Sequence, residues 1–178
     1  VKSAVERELG AVTDNPLVLG RDIVSGGNFH GMPLAAALDA LALSIAAVAG
    51  ISERRVFWML SSFDKEAGLR PYLSPKPGLH SGLMIAQYTA AACCNEIIGL
   101  ATPASAANIP TSAEVEDYNS FGPRAAAKAR RALQLATSVI AIELLCAAEG
   151  VEHHRPLRSG VVVERAIARI RHVVPPLK

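Results

Sequence analysis

The sequence predicts an all-α fold of the long-helix bundle type. Three stretches, 33–60, 81–102 and 123–149, stay apolar and alanine-rich over lengths that helices reach and strands do not. Prolines punctuate them: Pro33 and Pro123 fit the first turn of a helix, and Pro71, Pro75, Pro77, Pro103 and Pro110 crowd the connections. No alternation of short strands with helices, the mark of a parallel sheet, occurs anywhere.

Taken in order, residues 2–12 read as a helix end, with Val5, Leu9 and Val12 at helical spacing. Thr13-Asp14-Asn15-Pro16 stops it, because the residue before a proline is pushed out of the helical region. A loop over 13–32 follows, in which Leu17–Leu19 and Ile23-Val24 flank Gly20-Arg21-Asp22 as a small hairpin or plain extended chain. The helix over 33–60 carries Gly50, which marks a bend or a split. The loop over 61–79 is long enough to be functional or to cross an interface. Helix 81–102, loop 103–122 and helix 123–149 come next, with Gly150 as the residue that ends the last of these. Arg155–Gly160 is a linker, and an amphipathic helix over 161–173 is stopped by Pro175-Pro176.

Composition narrows the function. The chain is 51% hydrophobic and only 19% charged, so its helices have to bury more than one face, and oligomerisation is the simplest way to do so. Net charge is +2, and the basic runs at Lys128–Arg131 and Arg165–Arg171 recur at helical spacing, as solvated or interfacial faces do. With 4% aromatic residues there is no stacking platform, and nucleic acid is excluded as a partner. Residues 34–51 are apolar enough to raise a membrane span, but eight of them are alanine and Asp39 sits inside, which favours a buried bundle helix and no membrane. Cys93, Cys94 and Cys146 form neither a disulfide framework nor a zinc set and read as small apolar residues in a reducing, cytoplasmic compartment. The charged, helical N-terminus is not a signal peptide, and its abrupt start without Met suggests a fragment or a processed chain.

Two segments have chemical potential. Gly26-Gly27-Asn28-Phe29-His30 precedes the first long helix; its glycines let backbone approach a ligand, or form a mobile turn whose Phe29 staples the helix start. Glu114, Glu116 and Asp117 cluster in a loop otherwise free of charge. A carboxylate there accepts an N–H from a substrate or transfers a proton; equally, such acids favour a helix N-terminus. No metal site is expected, because no histidine lies at ligand spacing from the acids. His30, His80, His153, His154 and His172 are scattered, and the His153-His154 pair reads as exposed linker. No phosphate loop or dinucleotide fingerprint is present.

Ordered motifs go further. Thr-Asp-Asn-Pro-Leu at 13–17, Ser-Gly-Gly-Asn-Phe-His-Gly at 25–31, Ser-Glu-Arg-Arg at 52–55 and Ser-Gly-Leu-Met-Ile-Ala-Gln at 81–87 run through the first half. Pro-Ala-Ser at 103–105, Pro-Thr-Ser-Ala at 110–113 and Ala-Ile-Glu-Leu-Leu at 141–145 complete the set. In this order and spacing, over nearly the whole chain, they resemble the C-terminal segment of the aromatic amino-acid ammonia-lyases, and among these the histidine ammonia-lyases.

The resemblance implies part of a larger ammonia-lyase fold, assembled as a cytoplasmic homotetramer in which each active site draws on three subunits. It implies non-oxidative deamination of L-histidine to urocanate and ammonia. It also implies a methylidene-imidazolone (MIO) cofactor formed from an Ala-Ser-Gly tripeptide, and that tripeptide occurs nowhere in these 178 residues. The chain alone is therefore expected to be inactive. By resemblance, Phe29 lies beside the electrophile, Glu116 faces the substrate ring as a catalytic and binding acid, and Asn15 helps organise the pocket. Met32, Tyr118 and Asn119-Ser120 depart from the histidine pattern, so a related lyase or aminomutase acting on tyrosine or phenylalanine is an alternative. A non-catalytic helical assembly module is another.

Overall fold

A computed structural model describes residues 1–177. It contains five α-helices, α1 (Lys2–Glu8), α2 (Met32–Ser61), α3 (Met84–Leu100), α4 (Gly122–Glu152) and α5 (Val161–Val173). A two-stranded antiparallel hairpin, β1 (Leu17–Leu19) with β2 (Asp22–Val24), pairs Leu17 with Val24 and Leu19 with Asp22 around Gly20. Among the described residues the regular structure is mostly helical, with this hairpin as the one sheet. The chain forms two compact units, Val1–Ala46 with Glu96–Gln134, and Ala47–Asn95 with Leu135–Lys178, and each long helix contributes a segment to both.

In the first unit the buried positions are mostly alanine. Ala35 and Ala42 on α2, and Ala125, Ala129 and Ala132 on α4, are all essentially inaccessible, joined by Ile45 and by Ile97 of α3. Such small residues let helix axes approach closely. Asp39, the acid inside the apolar run, is buried here because it serves a loop. Its Oδ1 accepts the Ala104 N–H at 3.0 Å, and its Oδ2 accepts the Ser105 N–H at 2.9 Å and the Ser105 hydroxyl at 2.7 Å. Burial pushes this carboxyl up, but those bonds and the Lys128 charge outweigh it and hold the group below the usual carboxylate range. Lys128 Nζ also donates to the Thr102 carbonyl, and Arg131 grips Glu96 at 2.6 and 3.0 Å, so this basic run has specific partners.

The second unit is centred on Val56, Leu60, Leu73 and Cys146, with Met59, Leu69, Leu83 and Ile142 packed around them. Polar helix residues pair around it. Glu53, buried, accepts a fork of bonds from Arg54 and one from Gln87 Nε2 at 2.7 Å. Glu143 accepts from Arg55 and from Ser52, and the Arg55 bond holds its carboxyl below the usual range against the pull of burial. Arg171 reaches Glu149 at 2.8 Å with its side chain only 12% exposed, so of the solvated or interfacial face read from the sequence this residue is not a solvated part.

Several boundaries differ from the sequence reading. α1 stops at Glu8 rather than 12, because Gly10 is a poor helix residue and Ala11 N–H turns back to the Glu8 carbonyl at 3.2 Å. α3 begins at Met84 rather than 81: Gly82 sits at φ +51°, and a Cβ there would lie 2.4 Å from the Tyr72 carbonyl oxygen. Gly50 neither ends nor splits α2. Gly150 does not end α4 either; the helix runs on to Glu152, and Gly150 is buried with Leu69 and Leu73 beside it. His153 is not exposed linker: it is half-buried, with Nδ1 3.0 Å from the Glu149 carbonyl.

By length and composition α2 and α4 are long and apolar enough to cross a membrane. Each gives part of its length to a buried core and leaves other apolar residues exposed, and the acids within α2, Asp39 and Glu53, are buried and bonded to protein groups.

Candidate functional site

In the first unit a cavity of about 350 Å³ opens where three segments meet: the Asn15 turn, the glycine segment 25–31 with the start of α2, and the loop 115–118. Asn15, Phe29 and Glu116, which the sequence places 101 residues apart from first to last, all line it (116 − 15).

Asn15 holds the glycine segment in place. Its Oδ1 accepts the Gly26 N–H at 3.0 Å and the Ser25 hydroxyl at 3.3 Å. Gly26 has to be glycine, since a Cβ would stand 2.9 Å from the Asp14 carbonyl oxygen. Asn28 Nδ2 donates to Glu8 Oε2 at 3.0 Å, which ties the segment to α1 as well. The segment is therefore a braced loop rather than a mobile turn. Phe29 packs on His30 with ring centroids 4.4 Å apart, and is still 39% exposed on the cavity side of the chain. Gly31 then turns at φ +69° and its carbonyl accepts the Leu34 and Ala35 N–H groups, which starts α2.

Glu116 stands at the base of a closed turn. Thr111 and Glu116 form an antiparallel bridge, with the Thr111 N–H donating to the Glu116 carbonyl at 2.9 Å. Between them Ser112, Ala113 and Glu114 have φ of +53°, +53° and +72°. Left-handed backbone costs each such residue on the order of 1 kcal/mol or more, and a run of three is held here only by the bridge and the turn bonds around it. The Glu116 carboxylate accepts the Thr111 hydroxyl at 3.2 Å and is otherwise turned to solvent and cavity. Glu114 lies in the strained turn, so the acid cluster does not act as a helix N-terminus.

Asn108, which the sequence reading passed over, and Asn119, which it read only as a departure from the histidine pattern, brace the rest. Asn108 Nδ2 donates to the Asp117 carbonyl at 2.6 Å, its Oδ1 accepts the Asn119 N–H at 2.8 Å, and Asn119 Nδ2 reaches the Ile109 carbonyl at 2.8 Å and Thr111 Oγ1 at 3.1 Å. Their signal was their residue type in a loop: asparagine side chains bond nearby backbone. The two halves of the site are joined by Ser120 Oγ, which donates to the His30 carbonyl, and by the Tyr118 hydroxyl, 3.8 Å from Met32 Sδ.

The lining carries two carboxylates, Glu116 and Asp117, and no Lys or Arg. It suits a ligand part that donates hydrogen bonds or bears positive charge, and offers a ligand carboxylate no Lys or Arg. Among the described residues no cluster of three or more His, Cys, Asp or Glu could hold a metal ion. His80, His153, His154 and His172 lie outside this cavity.

The chain is similar to known proteins along almost its whole length. The family model for aromatic amino acid lyases matches residues 1–172. The histidine ammonia-lyase of Symbiobacterium thermophilum is 46% identical over 179 residues, covering 99% of this chain and 35% of that protein. Among solved structures, histidine ammonia-lyase from Trypanosoma cruzi superposes with a TM-score of 0.90 at 41% identity, over 97% of this chain and 34% of that one. Tyrosine aminomutase from Streptomyces globisporus superposes with a TM-score of 0.92 at 32% identity, over 99% and 34%. The chain thus spans about a third of the length of the relatives it matches, at their C-terminal side. With its helical fold, its braced glycine loop and a match along almost its whole length, the chain belongs to the aromatic amino acid lyase family.

Proposed function

We propose that this chain is the C-terminal third of a histidine ammonia-lyase, which converts L-histidine to urocanate and ammonia without oxidation. The observation that carries the reading is the Glu116 carboxylate, set with Phe29 on one braced cavity in a chain of this family. The high identity to a histidine ammonia-lyase supports the same substrate.

Glu116 accepts an N–H of the substrate imidazole, and the bond is charge-assisted, stronger than one to a neutral amide. Asp117 adds negative charge to the same wall and favours a protonated ring or ammonium. Asn15 fixes the glycine segment and so the position of Phe29. The substrate carboxylate is bound by a cation from outside this cavity, since its lining offers none.

Lyases of this kind use an MIO group, an electrophile that activates the amino group for departure. The Ala-Ser-Gly that forms it is not among these 178 residues. What this chain offers toward the group is a wall that fits: the partly exposed ring of Phe29 beside the glycines, with no cation to compete for the substrate. The chain alone is accordingly inactive, and the active site is completed by the rest of the lyase. Leu43, Val48, Ile51 and Trp58 on α2, and Leu133, Ile140 and Leu144 on α4, are all at least 40% exposed. Apolar faces of this extent fit a homotetramer with shared sites, in the cytoplasm.

The test is ultraviolet absorbance of the full-length protein carrying this chain, supplied with histidine, tyrosine or phenylalanine. A urocanate band with histidine is expected. Glu116→Gln should lower kcat/KM for histidine about 10- to 100-fold, the worth of one bond to a charged group. Product from tyrosine or phenylalanine in place of histidine refutes the reading, and so does ammonia release by the 178-residue chain alone.

A further inference from the structure

The contact in the cavity that folding explains least is the one between Tyr118 and Met32. Both neighbours of Tyr118 are pinned. The Asp117 carbonyl is held by Asn108, the Asn119 N–H by Asn108 again, and Ser120 by the His30 carbonyl. The backbone at 117–120 is thus fixed without the Tyr118 side chain. The phenol nevertheless turns into the cavity, 43% exposed, and its hydroxyl meets the Met32 thioether at 3.8 Å. A thioether is a weak acceptor. Most of the hydroxyl's bonding capacity is therefore open to whatever fills the cavity, on the same lining as Glu116.

We propose that Tyr118 determines specificity: its hydroxyl bonds the second ring nitrogen of the substrate imidazole while Glu116 accepts from the first, and Met32 holds the hydroxyl between turnovers. This rests on the histidine reading above. An imidazole presents two nitrogens, one N–H and one lone pair, or two N–H groups when protonated. A carboxylate serves an N–H and nothing else. A phenol donates or accepts, so it serves the second nitrogen in either protonation state. A phenyl ring offers neither group and would leave both Glu116 and Tyr118 without partners, the situation that rejects a substrate analogue most strongly. Met32 suits its part because a flexible, weakly bonding thioether releases the phenol at little cost. A carbonyl or carboxylate in its place would hold it.

The experiment uses the full-length protein, with kcat and KM measured for histidine on the unmodified protein, Tyr118→Phe, Met32→Leu and Glu116→Gln, and with phenylalanine as competing ligand. Tyr118→Phe should raise KM for histidine about tenfold, the worth of one neutral hydrogen bond at the upper end of its range. Its kcat should stay within about twofold, because the bond is made equally in ground and transition states. Discrimination against phenylalanine should fall with it. Met32→Leu breaks the same contact from the other side and should move KM the opposite way, downward, because the hydroxyl is released. If both variants raise KM alike, the contact is structural and the proposal is overturned. An unchanged KM in Tyr118→Phe beside a raised one in Glu116→Gln also overturns it and leaves the Glu116 reading intact. Failure of the unmodified protein to act on histidine overturns both.

Discussion

Replacing Asp39 with asparagine tests how the first unit is held together. The native carboxylate accepts three bonds, from the Ala104 N–H, the Ser105 N–H and the Ser105 hydroxyl, at 2.7–3.0 Å and with the residue only 4% exposed. Asparagine is nearly isosteric but keeps one acceptor atom. Its NH₂ would face donors, so one or two half-buried donors lose their partner. Each orphaned donor costs about 1–3 kcal/mol, and each bond to a charged acceptor is worth about 1.5–3 kcal/mol, before subtracting the desolvation that asparagine avoids. The net loss should be about 2–4 kcal/mol, large against the total stability of a domain. It has a pH signature. The Asp39 carboxyl is held below its ordinary value of 3.8 by bonds from Ala104 and Ser105 that outweigh burial. Its contribution is therefore fully present above that ordinary value and is lost as pH falls through the lower folded one. The gap between native and Asp39→Asn proteins, measured by urea unfolding and helical circular dichroism, should be full at pH 7 and shrink below pH ~4. A gap under about 0.5 kcal/mol at pH 7, or one that widens in acid, would refute the reasoning.

Two further outcomes are expected. Gly82→Ala should cost about 2 kcal/mol or more and lower the melting temperature by several degrees, since φ is +51° and the new Cβ would stand 2.4 Å from the Tyr72 oxygen; an unshifted melt contradicts this close approach. Cys146 is fully buried, and burial, with Glu149 and Glu143 nearby, pushes its thiol up to about 12. It should resist a disulfide reagent at pH 8 until the protein is unfolded, and rapid native labelling at Cys146, located by peptide mapping, counts against that environment.

What could be read from the sequence was what is local. Pro33 and Pro123 mark the first turns of α2 and α4, and the apolar periodicity of α5 gives its range, Val161–Val173. These signals lie within a few residues of the feature they set. The misreadings involve partners far along the chain. Gly150 has the look of a helix end, yet it lies inside α4, buried beside Leu69 and Leu73 from the loop before α3. Arg171 resembles a solvated base until Glu149, 22 residues earlier, is beside it. In the cavity, the residues named from resemblance, Asn15, Phe29 and Glu116, come together. The devices that bring them together were invisible: neither the left-handed run at 112–114 nor the bond from Ser120 to His30 follows from residue type or spacing.

The alanine lining of the first unit inverts the usual pattern of mutational damage. Most core positions fail by truncation, which leaves a hole where a large side chain stood. Ala35, Ala42, Ala125, Ala129 and Ala132 have almost nothing to truncate, and their methyl groups have no rotamers to immobilise on folding. What these sites cannot accept is growth. A single added branch at any of them has to push helices apart or force its neighbours off their rotamers, at about 1–3 kcal/mol each. Sequence drift in this half of the chain is therefore bounded from above in side-chain volume and hardly at all from below, short of glycine.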